Sequence, residues 1–128
     1  MLLDAFRRLL EPEFEVVGTA SDGRALIELA LATNPEVVVL DIAMPRLNGM
    51  EAAAQLRRQL PEVKVIFLTV NEDPDVAAEA VRLGASGYLL KSSASGELIS
   101  AIGMALAGKA YITPLITKGK PLRLFLSE

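Results

Sequence analysis

Cysteine and histidine are both absent from the 128 residues. Without cysteine there is no disulfide framework, no thiolate metal site and no thiol nucleophile. Without histidine there is no Ser-His-Asp triad, no imidazole base and no imidazole metal ligand. Tryptophan is missing too, and aromatic residues make up 5% of the chain, too few for a stacking platform on single-stranded nucleic acid. Long apolar runs are also lacking, and none approaches the ~18 residues of a membrane span. The N-terminal MLLDAFRRLL has no basic region ahead of its apolar residues, and Asp4 interrupts it early, so it does not read as a secretory signal. The cytoplasm is the expected location, with no membrane partner. Nor is there an excess of positive charge. Thirteen basic and sixteen acidic residues give a net charge of −3, so a phosphate backbone is not attracted to the chain as a whole, and no direct binding of nucleic acid is expected.

What is present suits one globular domain, with 52% hydrophobic and 23% charged residues. Two kinds of segment alternate. VVVLD (37–41), VKVIFLT (63–69) and GYLLK (87–91) are short apolar runs that each end in a polar or charged residue, and FEVVGTA (14–20) is a weaker version. Continuous apolar runs suit strands buried on both faces, as in a parallel sheet. Between them lie helical patterns. Leu2–Leu10 repeats its apolar residues on one face. A second helix runs from about 22 to 33, capped by Ser21 and stopped by Asn34-Pro35. A third spans Met50–Leu60 and stops at Pro61. A fourth opens on Asp73-Pro74 and ends at Gly84, and a fifth spans Glu97–Ala107 and ends at Gly108. The order predicts an α/β fold, a doubly wound parallel sheet with helices on both faces.

In an open α/β sheet, ligands bind beyond the carboxyl ends of the strands. Asp41, Thr69 and Lys91 all stand at such ends, the last two 28 and 50 residues after the first. A carboxylate, a hydroxyl and an ammonium converging on one rim suit a phosphoryl group. The carboxylate can be the nucleophile that forms an acyl phosphate. The lysine can pair with phosphate oxygens as a point charge, and the hydroxyl can hydrogen-bond to the same oxygens. Singly, each has an ordinary structural reading: a strand-end Asp as a turn residue, Thr69 as a strand former, Lys91 as a solvated strand terminus.

The stretch VVVLDIAMPRLNGMEAAAQLR, with Met44-Pro45 and Asn48-Gly49, resembles the phosphoacceptor strand and loop of the bacterial response-regulator receiver domains. KVIFLTV resembles the strand that carries their switch hydroxyl, and RLGASGYLLKSSASGELISAI resembles their last strand and helix. GASGYLLK followed by Ser is similar to the subgroup usually fused to a LuxR/NarL-type helix-turn-helix. The resemblance covers roughly residues 1–113. It implies a flavodoxin-like fold and a role as a phosphorylation-controlled switch in two-component signalling, with transcription regulation as the output, and not an enzyme. It implies that Asp41 is the phosphoacceptor, Thr69 the switch hydroxyl, Tyr88 the switch aromatic and Lys91 the phosphate-pairing cation. It also implies Mg²⁺ held by Asp41 and the Ala43 carbonyl, a sensor histidine kinase as donor, and dimerisation as a readout. The rival reading is a degenerate receiver that acts as an interaction module without phosphorylation. A nucleotide or flavin binder is disfavoured, because no Gly-x-Gly-x-x-Gly or P-loop follows a strand.

Receivers normally open with a strand ending in two acidic residues that help hold Mg²⁺, in a sheet of order 2-1-3-4-5. This sequence opens within the first helix, so Mg²⁺ binding and phosphorylation are expected to be weak or absent. Residues 1–108 are read as a receiver minus that strand, 109–121 as a connector and 122–128 as a candidate replacement strand within a single domain. LRLFL (122–126) would fill the first-strand slot, from its own chain or by exchange of tails between two copies, and Glu128 would bring a carboxylate toward the metal position. Fully burying Leu122, Leu124, Phe125 and Leu126 would stabilise the sheet by roughly 1.5–3 kcal/mol each.

Overall fold

The structure, a computed structural model, describes residues 2–20, 22–42, 49–70, 73–82 and 84–112. Five helices and four strands follow in chain order: α1 (Leu2–Leu10), α2 (Gly23–Thr33), β1 (Val37–Asp41), α3 (Gly49–Gln59), β2 (Lys64–Thr69), α4 (Pro74–Arg82), β3 (Gly87–Leu90), α5 (Ala94–Leu106) and β4 (Tyr111–Ile112). The strands lie in the order β1-β2-β3-β4 and all neighbours are parallel. The register aligns Val37 with Lys64, Phe67 with Tyr88 and Gly87 with Tyr111. This is the doubly wound parallel sheet that the alternation of segments predicts.

Side chains alternate between two layers, as strand geometry requires. Val38, Leu40, Val65, Phe67, Tyr88 and Leu90 pack with Ile27 of α2, Leu56 of α3 and Val81 of α4. Ile66, Leu68 and Leu89 face the other way, onto Phe6 of α1 and Leu98 and Ile102 of α5. β2 and β3 are buried at nearly every position, whereas β1 is buried only at Val38 and Leu40.

Helix ends follow local chemistry. The cap of α2 is Asp22, not Ser21: the Asp22 Oδ1 accepts from the Ala25 N–H at 2.9 Å. Ser21 lies outside the described residues. At the other end Asn34 turns left-handed (φ 48°), and its N–H donates to the Ala30 carbonyl at 2.7 Å, which closes the helix before Pro35. The Asp73 carboxylate accepts from the Asp75 N–H at 2.9 Å, capping a helix that opens on Pro74. α5 begins at Ala94, three residues before the expected start at Glu97.

Two expectations need correction. FEVVGTA (14–20) forms no strand; residues 15–20 run without a ladder and Val17 is 47% exposed. A strand needs a neighbour for its backbone groups, and none of the four described strands lies beside this segment. The fourth strand is instead Tyr111–Ile112, inside the stretch read as connector. Residues 122–126, the candidate replacement strand, lie outside the described residues.

Candidate phosphoacceptor site

The carboxyl rim of the sheet is built from three strand ends. Asp41 closes β1, Thr69 closes β2, and Lys91 follows β3 by one residue. The backbone ties them together: the Ile42 N–H donates to the Leu68 carbonyl at 3.1 Å, and the Lys91 N–H donates to the Thr69 carbonyl at 2.8 Å. Above that frame the Lys91 Nζ donates to the Asp41 Oδ2, joining residues far apart in sequence. The two side chains are 27% and 31% exposed, so the pair sits at the surface where a phosphodonor can reach it, yet is shielded on most sides.

Gly49 brings the first turn of α3 against this rim. Its N–H donates to the Ile42 carbonyl at 2.8 Å. A Cβ at this position would stand 2.5 Å from the Asp41 carbonyl oxygen and 2.6 Å from the Ile42 Cα, closer than real contacts allow. Glycine is needed here because two backbones approach each other, not because of an unusual φ.

Behind the rim lies a buried polar pair. Thr69 is 6% exposed, the one buried polar residue among those described. Tyr88 is 0% exposed, and its hydroxyl is buried without a hydrogen-bond partner of acceptable geometry. Burial pushes the phenol above its ordinary value of 10.0. The Thr69 hydroxyl works against that shift, and the negative charge of Asp73 adds to it. Asp73 therefore does more than the capping role its sequence context gives it. Its position four residues beyond Thr69 is the only sequence sign that it shares this neighbourhood.

The structure thus brings together Asp41 and Lys91 directly, and Thr69 and Tyr88 one layer below. Ala43 and Glu128, the other candidate metal ligands, lie outside the described residues. No group of three or more acidic, His or Cys side chains that could hold a metal occurs among the described residues. Asp41 offers a single carboxylate that already faces a lysine, so the described residues do not by themselves make a Mg²⁺ site. No helix among them is long and apolar enough to cross a membrane.

Comparison with known proteins locates this arrangement. The family model described as the response regulator receiver domain matches residues 1–103. Transcriptional regulatory protein DegU of Brevibacillus brevis is 43% identical over 108 residues, 84% of this chain and 46% of that protein. Response regulator GacA of Pseudomonas aeruginosa is 36% identical over 111 residues, 87% of this chain and 52% of that protein. The chain spans about half the length of these relatives. Among solved structures, a LuxR-family two-component response regulator from Aurantimonas sp. superposes with a TM-score of 0.83 at 33% identity, covering 90% of this chain and 84% of that one. The isolated receiver domain of RcsB from Salmonella enterica serovar Typhimurium, with the phosphomimetic BeF3⁻, superposes with a TM-score of 0.82 at 26% identity, covering 91% and 88%.

Proposed function

Because the chain belongs to the response regulator receiver domain family, we infer that it is a phosphorylation-controlled binding switch with Asp41 as the acceptor. The observation that carries this reading is the pairing of Lys91 with Asp41 on a rim floored by Thr69. An Asp41 carboxylate oxygen attacks the phosphorus of a phosphohistidine on a sensor kinase, or of a small acyl phosphate. The new P–O bond forms as the donor's P–N or P–O bond breaks, and the electron pair leaves with the donor. Lys91 neutralises charge first on the carboxylate and then on the acyl phosphate. The Thr69 hydroxyl moves to the phosphoryl oxygens, and the space it leaves is felt by Tyr88, whose hydroxyl is buried without a hydrogen-bond partner. The two arrangements of Thr69 and Tyr88 are the two-state element that phosphorylation biases.

Mg²⁺ supplies charge neutralisation in receivers. Here we propose that its binding is weak, with Asp41 as one ligand and Glu128 as a candidate second carboxylate. We propose that the switch works in the cytoplasm and regulates transcription through dimerisation, in line with the printed description of DegU as a transcriptional regulatory protein. RcsB is known as dimers bound to DNA; the net charge of −3 does not favour direct DNA contact by this chain.

The test is incubation with acetyl phosphate and Mg²⁺, read by intact mass. The expected outcome is a gain of one phosphoryl group that disappears in Asp41→Asn. The rival reading, an interaction module that is never phosphorylated, is favoured by the sparse carboxylate set. It predicts no gain at any donor concentration, and that result would overturn the acceptor role.

A further inference from the structure

On the face of the sheet that carries α3 and α4 lies a cavity of about 60 Å³. Ala53 and Ala54 of α3, Val65 and Phe67 of β2, and Ala85 just ahead of β3 give it apolar walls. Three alanines are too short to fill the space between helix and strand, so a void remains where interiors are usually close-packed. None of these residues belongs to the Asp41–Lys91 pair or to the Thr69 and Tyr88 layer beneath it.

Arg57 is the one charged residue that lines the cavity. It follows Ala53 by one helical turn and so shares that side of α3. The side chain is half-buried and held in place. Its Nη1 donates to the Gly84 carbonyl at 3.0 Å. Gly84 is left-handed (φ 97°), and a Cβ there would stand 2.8, 3.0 and 3.1 Å from the Arg57 Cζ, Nη2 and Nε, so the guanidinium lays its flat face on the glycine. A guanidinium has five N–H donors, and the Gly84 carbonyl takes one without neutralising the charge. Arg7 pairs with Glu11 and Arg82 with Glu79, yet no carboxylate pairs with Arg57 among the described residues. The neighbouring Arg58 is exposed and adds a second positive charge. A fixed, half-buried cation at an apolar void suits a ligand that is anionic at one end and apolar at the other.

We propose that this cavity binds a short-chain aliphatic monocarboxylate. The carboxylate accepts from the Arg57 guanidinium, and the alkyl tail lies between α3 and β2 against Ala53, Val65 and Phe67. The size of the cavity sets the length of the tail. A cavity of about 150 Å³ takes benzene, so one of about 60 Å³ takes roughly two or three carbons, as in propionate or butyrate. Inorganic anions would leave the apolar walls uncovered, and a longer chain would overfill them. Binding here does not depend on Asp41, so it stands apart from the phosphoacceptor reading.

The test is a methyl NMR titration of the full chain, labelled at alanine, with sodium acetate, propionate, butyrate and hexanoate at constant ionic strength. Saturable shifts are expected at the Ala53, Ala54 and Ala85 methyls. Each CH₂ added from acetate to butyrate should tighten binding about fourfold, and hexanoate should bind no tighter than butyrate. Butyramide has the same shape without the charge and is expected to bind at least ~10-fold more weakly. Arg57→Gln should weaken butyrate by a similar factor and leave butyramide unchanged. Ala54→Leu gives a variant that keeps Arg57. Position 54 is exposed, and leucine retains helix propensity there while its side chain fills the cavity, so butyrate binding should be lost in a folded protein. Shifts that never saturate, equal affinity for butyrate and butyramide, or undiminished binding in Ala54→Leu would each overturn the proposal.

Discussion

Replacing Gly49 by alanine tests the close approach that sets Asp41 at the rim. The added Cβ meets the Asp41 carbonyl oxygen at 2.5 Å and the Ile42 Cα at 2.6 Å. Both belong to backbone held by the β1–β2 ladder, so neither can rotate away, and α3 must lift off the strand by several tenths of an ångström. Overpacking of this kind costs about 2–3 kcal/mol. Alanine's better helix propensity offsets at most ~1 kcal/mol of that. The net loss of about 1–2 kcal/mol lowers Tm by roughly 3–10 °C in a domain of this size. Gly96 provides the control. It lies in α5 with nothing within 4 Å of a built Cβ, so Gly96→Ala is expected to raise stability by about 0.5–1 kcal/mol. Thermal melts followed by circular dichroism, with urea midpoints for ΔΔG, compare the two. Opposite signs support the reasoning. A Gly49→Ala protein within ~0.5 kcal/mol of the parent would refute it, because the backbone contact would then be too soft to position Asp41.

Tyr88→Phe removes a buried hydroxyl that has no hydrogen-bond partner, so urea unfolding is expected to show unchanged or slightly higher stability, by up to ~1 kcal/mol. The same substitution has a pH signature. A phenol whose folded pKa is raised supports the native state fully below pH 10, and that support is lost as pH rises through the folded value, because the unfolded chain ionises first. Stability of the parent should therefore fall above pH 10, and fall less steeply in Tyr88→Phe; identical alkaline slopes would contradict the burial. Tyr111 is shifted in the same direction by burial and by Glu97, so the double Phe variant should flatten the curve further. Asp22→Ala removes the carboxylate that accepts from Ala25 and is expected to cost about 1 kcal/mol by the same urea titration.

What the sequence makes legible tracks how locally each feature is determined. VVVLD, KVIFLT and GYLL read as strands because burial on both faces demands an unbroken apolar run, and that demand is visible without knowing the neighbours. The rim of Asp41, Thr69 and Lys91 follows from the same runs, since the residue that ends each one stands at a common edge. FEVVGTA carries a similar composition, but strand formation also needs a partner ladder, which no local pattern reports. Tyr111–Ile112 is the converse: two residues inside a connector become a strand only because β3 offers a free edge. The burial of Tyr88 and the influence of Asp73 on it were equally illegible, since they arise from side chains of separate elements.

The clearest mismatch between sequence and structure falls on one strand and has one physical reading. Valine at 37, 38 and 39 is a choice for a strand enclosed on both sides, yet only Val38 is fully buried among them. β2 carries a comparable apolar run and buries nearly all of it, because it has a neighbour on each edge and a helix on each face. The same residue types therefore yield full burial where the ladder continues and half burial where, among the described residues, it stops. An apolar strand with an open edge invites pairing with whatever strand is at hand. The phosphoacceptor stands at the end of that strand, so the order of the β1 backbone bears directly on where Asp41 is held, and the exchange rates of the Val37 and Val39 amides, set against those of Val38 and Leu40, report it.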